Sequence, residues 1–209
     1  MPDERSAERG EVVSHPALPM PLAWLNAPAS WEIGTTGRLT IEALGECDWF
    51  IDPAGTLTVL SAPALLGEPP DADFTLHAHV RIDGAARFDA GVLFVHGDER
   101  TWAKLCLERS PGGAPMIVSV VTRGVSDDCN SETIEADEAW LRIARRDGAF
   151  AFHWSVDGRR WSFVRFFALP ATSVRVGFEA QSPIGTGCTA TFDAISYSPS
   201  RLGDLRDGS

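Results

Sequence analysis

Three side chains that could bind a ligand lie on one predicted strand. In the sequence TWAKLCLE (residues 101–108), Trp102, Lys104 and Glu108 alternate with apolar residues. Because alternate residues of a strand point to opposite faces, one face is apolar, and the other presents an indole, an ammonium group and a carboxylate. A solvated face needs charge but no large aromatic ring, so we expect this face to bind a ligand.

The spacing of Lys104 and Glu108 indicates what they could contact. Four residues of strand separate them, which is about 13 Å, so they cannot pair directly but could both reach an extended ligand. The alternative is that each pairs with an opposite charge on a neighbouring strand, for example Glu108 with Arg142 or Arg165.

The wider candidate set comes from the polar faces of the other predicted strands and from nearby loops. The strand candidates are His77, His79, Trp102, Lys104, Glu108, Ser119, Arg142, His153, Ser155, Arg165, Glu179 and Gln181. The loop candidates for the rim of the site are Asp48, Trp49, Asp89, Ser126 and Asp127.

Two types of catalysis are compatible with these residues. Glycoside hydrolysis needs two carboxyl groups, about 5.5 Å apart in retaining enzymes and about 6.5–9.5 Å apart in inverting ones. Glu108 with Glu179 or Asp89 could supply them. A lyase would need a base such as Lys104 or a histidine beside a cationic side chain, for which Arg142 and Arg165 are candidates.

No pattern of metal ligands is complete. His77 and His79 share a strand face, but no third ligand is apparent, so we interpret them as solvated polar-face residues. The four cysteines form no CxxC pair, and the acidic segments lack the alternate ligand spacing of a calcium loop. We therefore predict neither a metal nor a cofactor.

Many short alternating segments separated by turns would position these residues. The clearest is Phe74 to Ile82, and Asp147-Gly148 and Asp157-Gly158 are typical hairpin turns. No long window has helical periodicity. The pattern predicts an all-β fold, an antiparallel two-sheet β-sandwich or jelly roll, over residues 20–199. Residues 1–19 and 200–209 are predicted tails, and 129–137 a loop.

Composition limits the classes of partner. The net charge of −11 disfavours nucleic acid and anionic membranes, which bind basic surfaces. No apolar run reaches the ~18 residues of a membrane helix, and the N-terminus has no signal-peptide h-region. We expect a cytoplasmic monomer or homodimer with reduced thiols.

Several segments occur in the same order in a known family. They are WLNAPASW (24–31), CDWF (47–50), RFDAGVLF (87–94), TWAKLCLE (101–108), SVVTRGVSDD (119–128), SVDGRRW (155–161) and QSP (181–183). The chain resembles the concanavalin-A-like proteins of unknown function that include bacterial YesU and the yeast regulation-of-enolase protein. Cys129 and Asn130 depart from the family pattern, in which an aromatic residue and a serine are usual.

The resemblance implies a jelly roll of the lectin/glucanase type with one concave sheet, but no established activity. It favours a set of residues on the concave side, namely Trp49, Asp89, Trp102, Lys104, Glu108, Ser119 and Asp127. With the candidates above, the predicted ligand-binding residues are Asp48, Trp49, Asp89, Trp102, Lys104, Glu108, Ser119, Asp127, Arg142 and Gln181. The retaining glucanases of this superfamily carry an ExDxE run, which this chain lacks.

The leading hypothesis is a carbohydrate-binding β-sandwich. A small molecule or oligosaccharide would stack on Trp49 or Trp102, with Asp89, Glu108 and Asp127 accepting hydrogen bonds and Lys104 and Arg142 donating them. One alternative is a glycoside hydrolase or polysaccharide lyase that uses Glu108 as its catalytic acid or base. Another is a regulatory protein that binds a protein partner through a flatter apolar patch.

Overall fold

Antiparallel strands account for almost all of the regular structure in the computed structural model, which describes residues 12–209. In chain order, the strands are Val12–Val13 (β1), Leu22–Leu25 (β2), Ser30–Ile33 (β3), Leu39–Leu44 (β4), Trp49–Ile51 (β5), Thr58–Leu60 (β6), Ala64–Gly67 (β7), Phe74–Ile82 (β8), Ala90–Asp98 (β9), Thr101–Arg109 (β10), Pro115–Arg123 (β11), Val125–Thr133 (β12), Glu138–Arg146 (β13), Ala149–Ser155 (β14), Ser162–Ala168 (β15), Arg175–Gln181 (β16) and Gly187–Ser198 (β17).

The strands form two large sheets and one small hairpin. The eight-stranded sheet has the order β1-β2-β7-β16-β9-β10-β11-β12, and the seven-stranded sheet has the order β15-β14-β13-β8-β17-β4-β3. Strands β5 and β6 pair only with each other. The two large sheets pack face to face, which confirms the predicted all-β, antiparallel two-sheet sandwich.

Alternating apolar side chains build the core between the sheets. On β10, Leu105 and Leu107 are fully buried, and on the seven-stranded sheet Leu141 and Ile143 are equally buried. Phe178 of β16 meets Phe192 of β17 across the interface, with ring centroids 5.0 Å apart. Full burial of a side chain of this size stabilises the fold by about 1.5–3 kcal/mol.

The predicted strand boundaries agree best with the structure for β8, in which apolar and polar residues alternate most clearly. The structure confirms Phe74–Ile82 as a strand. It corrects the segment after Asp128, which was predicted to be a loop, because β12 continues through Thr133 as the edge strand of the eight-stranded sheet.

The two predicted tails contribute contacts where the structure describes them. Val12 and Val13 pair with β2, and the buried ring of His15 donates a hydrogen bond from Nε2 to the Gly37 carbonyl (2.8 Å). Residues 1–11 of the predicted N-terminal tail lie outside the described residues. At the other end, residues 200–209 lie against the outer face of the seven-stranded sheet and bury Leu205.

The described part of the chain has no helix that is long and apolar enough to cross a membrane.

Candidate functional site

A cavity of about 390 Å³ opens on the outer face of the eight-stranded sheet. Its floor consists of side chains from β10, β11, β12 and the end of β16, and the β5–β6 hairpin and the loops around Phe88 and Pro183 form its walls. We call this cavity the groove. It is lined by Glu46, Asp48, Phe50, Leu57, Val59, Phe88, Lys104, Glu108, Pro111, Met116, Val118, Val120, Asp128, Asn130, Gln181, Pro183 and Ile184.

Lys104 lies in the groove floor and is held by two acceptors. Its Nζ donates to Asp48 Oδ1 (2.8 Å) and to Gln181 Oε1 (2.7 Å). Burial alone would lower the pKa of Lys104, but the neighbouring carboxyl groups, above all the negative charge of Asp48, outweigh burial and raise the pKa. Lys104 therefore stays charged, and its charge is already matched by Asp48.

Glu108 also faces the groove, but no hydrogen bond within the described part of the chain engages its carboxyl group. The residue as a whole is 8% exposed. Burial raises the pKa of Glu108 to about 8, although Lys104 acts in the opposite direction. Because the carboxyl group faces the groove and forms no hydrogen bond to another described residue, it is available to a ligand.

Glu179 is a second acid on the same sheet face, but it lies below the groove and does not line it. It is fully buried, and neither of its carboxyl oxygens has a hydrogen-bond partner among the described residues. Burial raises the pKa of Glu179 to about 8, with Lys104 lowering it and Asp48 raising it. At neutral pH Glu179 is therefore mainly protonated, and it cannot contact a ligand directly.

Trp49 and Trp102 do not present stacking surfaces, and the structure corrects that prediction. Their exposed fractions are 1% and 0%, and their rings contact each other edge to face with centroids 6.1 Å apart. The β5–β6 hairpin folds over this end of the sheet and is fastened there, since Ser126 Oγ accepts a hydrogen bond from the Ile51 amide (2.9 Å). The two indoles thus pack against each other between the hairpin and the sheet.

Ser119 and Asp127 were assigned to the wrong side of the sheet. Ser119 is paired with Leu105, so its fully buried side chain points into the core, while its neighbour Val120 is paired with Lys104 and faces the groove. Asp127 points toward the second sheet and forms an ion pair with Arg165 (3.0 Å). The groove contains Asp128 instead.

Asp89 and Gln181 both form hydrogen bonds that hold the loop around Phe88, which is one wall of the groove. Asp89 is buried, and its carboxylate accepts from the Ala86 amide (2.9 Å) and from Ser182 Oγ (2.7 Å), so it shapes the loop around Phe88 and does not line the groove. Gln181 lines the groove, accepts from Lys104, and donates from Nε2 to the Phe88 carbonyl (3.1 Å).

Arg142 belongs to the opposite side of the molecule, which corrects its assignment as a ligand donor. It lies on β13 between His77 and His153, on the outer face of the seven-stranded sheet. Its guanidinium stacks on Trp161 at 4.2 Å and donates to the Gly208 carbonyl (2.8 Å). The neutral His153, whose pKa burial lowers to about 4, donates to the Leu205 carbonyl (2.7 Å).

The apolar walls of the groove were missed from sequence. Phe50 and Phe88 are half-buried there, beside Val118 and Val120 of the floor. Phe50 lies in the segment CDWF, two residues after Asp48, and Phe88 lies in RFDAGVLF, beside Asp89. The groove thus combines apolar surfaces with a small number of polar groups, which is the composition of small-molecule sites.

No group of three or more His, Cys, Asp or Glu side chains suited to a metal ion occurs within residues 12–209. His77 and His79 pack against Trp140 instead, with centroid distances of 5.9 and 5.1 Å.

The family profile described as "Protein of unknown function (DUF1349)" matches residues 24–200. The chain belongs to this family. The DUF1349 match includes every residue that lines the groove. A search of curated proteins found no match.

Solved structures resemble this DUF1349 protein over most of its length. A functionally unknown protein from Saccharomyces cerevisiae is 28% identical, with a TM-score of 0.78, and the match covers 87% of this chain and 97% of that one. A xylan β-1,4-xylosidase from Bacillus halodurans is 15% identical, with a TM-score of 0.68, and the match covers 95% of this chain but 40% of the enzyme.

An alginate lyase from Klebsiella pneumoniae is more distant. Its TM-score is 0.52 at 14% identity, over 80% of this chain and 83% of the lyase. These two enzymes share the β-sandwich fold with the DUF1349 chain, and at this identity the similarity concerns the fold alone.

Proposed function

We propose that the protein binds a saccharide in the groove. The observation that carries this proposal is Glu108, a residue more than nine-tenths buried whose carboxyl group has no hydrogen-bond partner among the described residues and faces a cavity with apolar walls. A sugar presents apolar ring faces and hydroxyl groups, so it would pack against Phe50 and Phe88 while Glu108 and Asp48 accept hydrogen bonds from its hydroxyls. The groove volume lies within the roughly 300–1,000 Å³ that is typical of ligand pockets.

Two further observations support the proposal. The groove encloses about 390 Å³, which suits a small ligand, whereas a protein-binding surface is expected to be a flatter apolar patch. In addition, the fold is shared with a part of a xylan β-1,4-xylosidase and with an alginate lyase, two enzymes named for polysaccharides. Within the family, we group the chain with the YesU-like and yeast regulation-of-enolase-like proteins, on the seven segments quoted above.

A thermal-shift screen of the purified protein with neutral sugars, uronic acids and amino sugars tests the proposal. A sugar at 100 times its dissociation constant should raise the unfolding free energy by about 2.7 kcal/mol. Glu108→Gln and Phe50→Ala should reduce the shift. Glu99→Gln, in the exposed turn after β9, and Phe163→Ala, on the other sheet, are matched controls that should leave it unchanged. No shift with any sugar would reject the proposal.

A second candidate function is acid catalysis by Glu108 on the bound sugar. A pKa near 8 keeps Glu108 protonated at neutral pH, as a general acid requires. Asp48 and Asp128 line the same groove and could act as the second carboxylate. Product analysis on any sugar that binds separates the two functions, because Glu108→Gln would abolish turnover by an enzyme, whereas a binding protein yields no product in either form.

A further inference from the structure

The carboxyl groups around the groove outnumber its cations. Glu46, Asp48, Glu108 and Asp128 line it, and Lys104 is the one basic residue among the lining residues. Lys104 is not available to a ligand anion, because Asp48 and Gln181 already accept its hydrogen bonds. An anionic ligand would therefore meet uncompensated negative charge.

Glu108 shows where a positive charge would be stabilised. The residue is more than nine-tenths buried, and its carboxyl group faces the groove and has no hydrogen bond to another described residue. A neutral hydroxyl would give this group one ordinary hydrogen bond. An ammonium group would give it a charge-assisted hydrogen bond, which is roughly twice as strong.

From these observations we infer, on the basis of the proposed function, that the groove selects an amino sugar whose ammonium group pairs with Glu108. The apolar walls at Phe50 and Phe88 would hold the sugar ring. A uronic acid would be rejected, since its carboxylate would lie among Glu46, Asp48 and Asp128 with no free cation to balance it.

Binding of a charged amino sugar should release a proton from Glu108, whereas binding of a neutral sugar should not. In the free protein Glu108 is mainly protonated at pH 7, because burial raises its pKa to about 8. When a sugar that already carries –NH₃⁺ binds, the O–H bond of Glu108 breaks and its proton passes to solvent. The carboxylate and the ammonium group then form the pair. Neutral sugars bind without this release.

Isothermal titration calorimetry of the full chain at pH 5.5, where both Glu108 and the amino groups of the sugar are protonated, in two buffers of different ionisation enthalpy, tests the inference. The probes are a chitosan oligosaccharide, its N-acetylated counterpart, which lacks the charge, and a cello-oligosaccharide of the same length. We expect the chitosan oligosaccharide to bind about tenfold more tightly than either neutral sugar. We also expect it to release close to one proton for each sugar bound.

Two variants test whether Glu108 causes both the preference for the amino sugar and the proton release. Glu108→Gln should remove both the tenfold preference and the proton release, and Glu99→Gln should keep both. Equal or tighter binding of a neutral sugar would overturn the inference and leave the proposed function in place. A preference that persists in Glu108→Gln would also overturn it. If none of the three probes binds, the inference fails, and the wider sugar screen alone decides the proposed function.

Discussion

Lys104 and Asp48, 56 positions apart in sequence, are joined by a hydrogen bond of 2.8 Å between Nζ and Oδ1. The pair connects the centre of the eight-stranded sheet to the loop that enters the β5–β6 hairpin. The Lys104 side chain is 3% exposed and that of Asp48 17%, so most of this contact is shielded from water. With the Ile51–Ser126 hydrogen bond, it holds the hairpin in place as a wall of the groove.

Removal of the Lys104 ammonium should be costly. Lys104→Met leaves the Asp48 carboxylate without its counter-charge and Gln181 Oε1 without its donor. Breaking a buried pair in this way costs about 3–5 kcal/mol. Urea denaturation measures the loss. Arg38→Met is the control, since its pair with Asp193 is on the surface and should be worth less than about 1 kcal/mol. The double variant Lys104→Met/Asp48→Asn should recover part of the loss, and failure to recover any would contradict this role of the pair.

Glu179 should make the stability of the folded protein fall as the pH rises. Its pKa is about 8 in the folded protein and near its ordinary value of 4.5 when unfolded, so between these values the folded state binds more protons than the unfolded state. The free energy of unfolding should then decrease with pH, by up to about 1.4 kcal/mol per pH unit. Below pH 4.5 the stabilising effect is fully present.

Glu179→Gln should make this dependence less steep, because an amide does not titrate and Glu108 remains as the other carboxyl group with a pKa of about 8. Denaturation curves from pH 4 to pH 9 measure it, with Glu132→Gln on the exposed edge strand as the matched control. Parallel pH profiles of wild type and Glu179→Gln would contradict the prediction.

Trp102 should contribute to the stability of the folded protein and should not contact the ligand. Trp102→Phe removes packing against Trp49 and Phe94 and should cost about 1–3 kcal/mol. The stabilisation by a bound sugar should nevertheless persist. Phe50→Ala should show the opposite behaviour, with a weaker ligand response. The thermal-shift assay reports both quantities, and loss of the ligand response in a folded Trp102→Phe protein would place that ring at the ligand after all.

Cys129 should be the thiol that reacts in the native protein. It is exposed on β12, whereas Cys47, Cys106 and Cys188 are buried, and burial raises the pKa of each of the three. Mass spectrometry after brief treatment with iodoacetamide should show one label, and Cys129→Ser should show none. Four labels should appear in denaturant. Rapid labelling of Cys106 without denaturant would show that the sheet opens.

The sequence could predict elements whose pattern is local. Alternation over nine residues was enough to define β8, and the apolar face of β10 was correctly assigned to the core. Ser119 could not be placed in this way. Its side depends on the pairing of Arg109 with Pro115 across the β10–β11 turn, and a shift of one residue exchanges the two faces of a strand.

The locations of Arg142 and Trp49 depend on contacts between segments that are far apart in sequence. Arg142 has an ordinary strand pattern around it, but its sheet is fixed by the pairing of β13 with β8, more than 60 residues earlier. Trp49 has no nearby signal of burial, because it becomes buried only when the β5–β6 hairpin folds onto His96 and Trp102. Local periodicity contains no information on either event.

The position of residues 200–209 has a practical consequence for immobilisation. They lie against the outer face of the seven-stranded sheet, and the groove opens on the outer face of the other sheet. A linker attached after Ser209 therefore leaves the molecule on the side away from the groove. A sensor chip or bead coupled through that linker would hold the protein with its groove directed toward the passing solution.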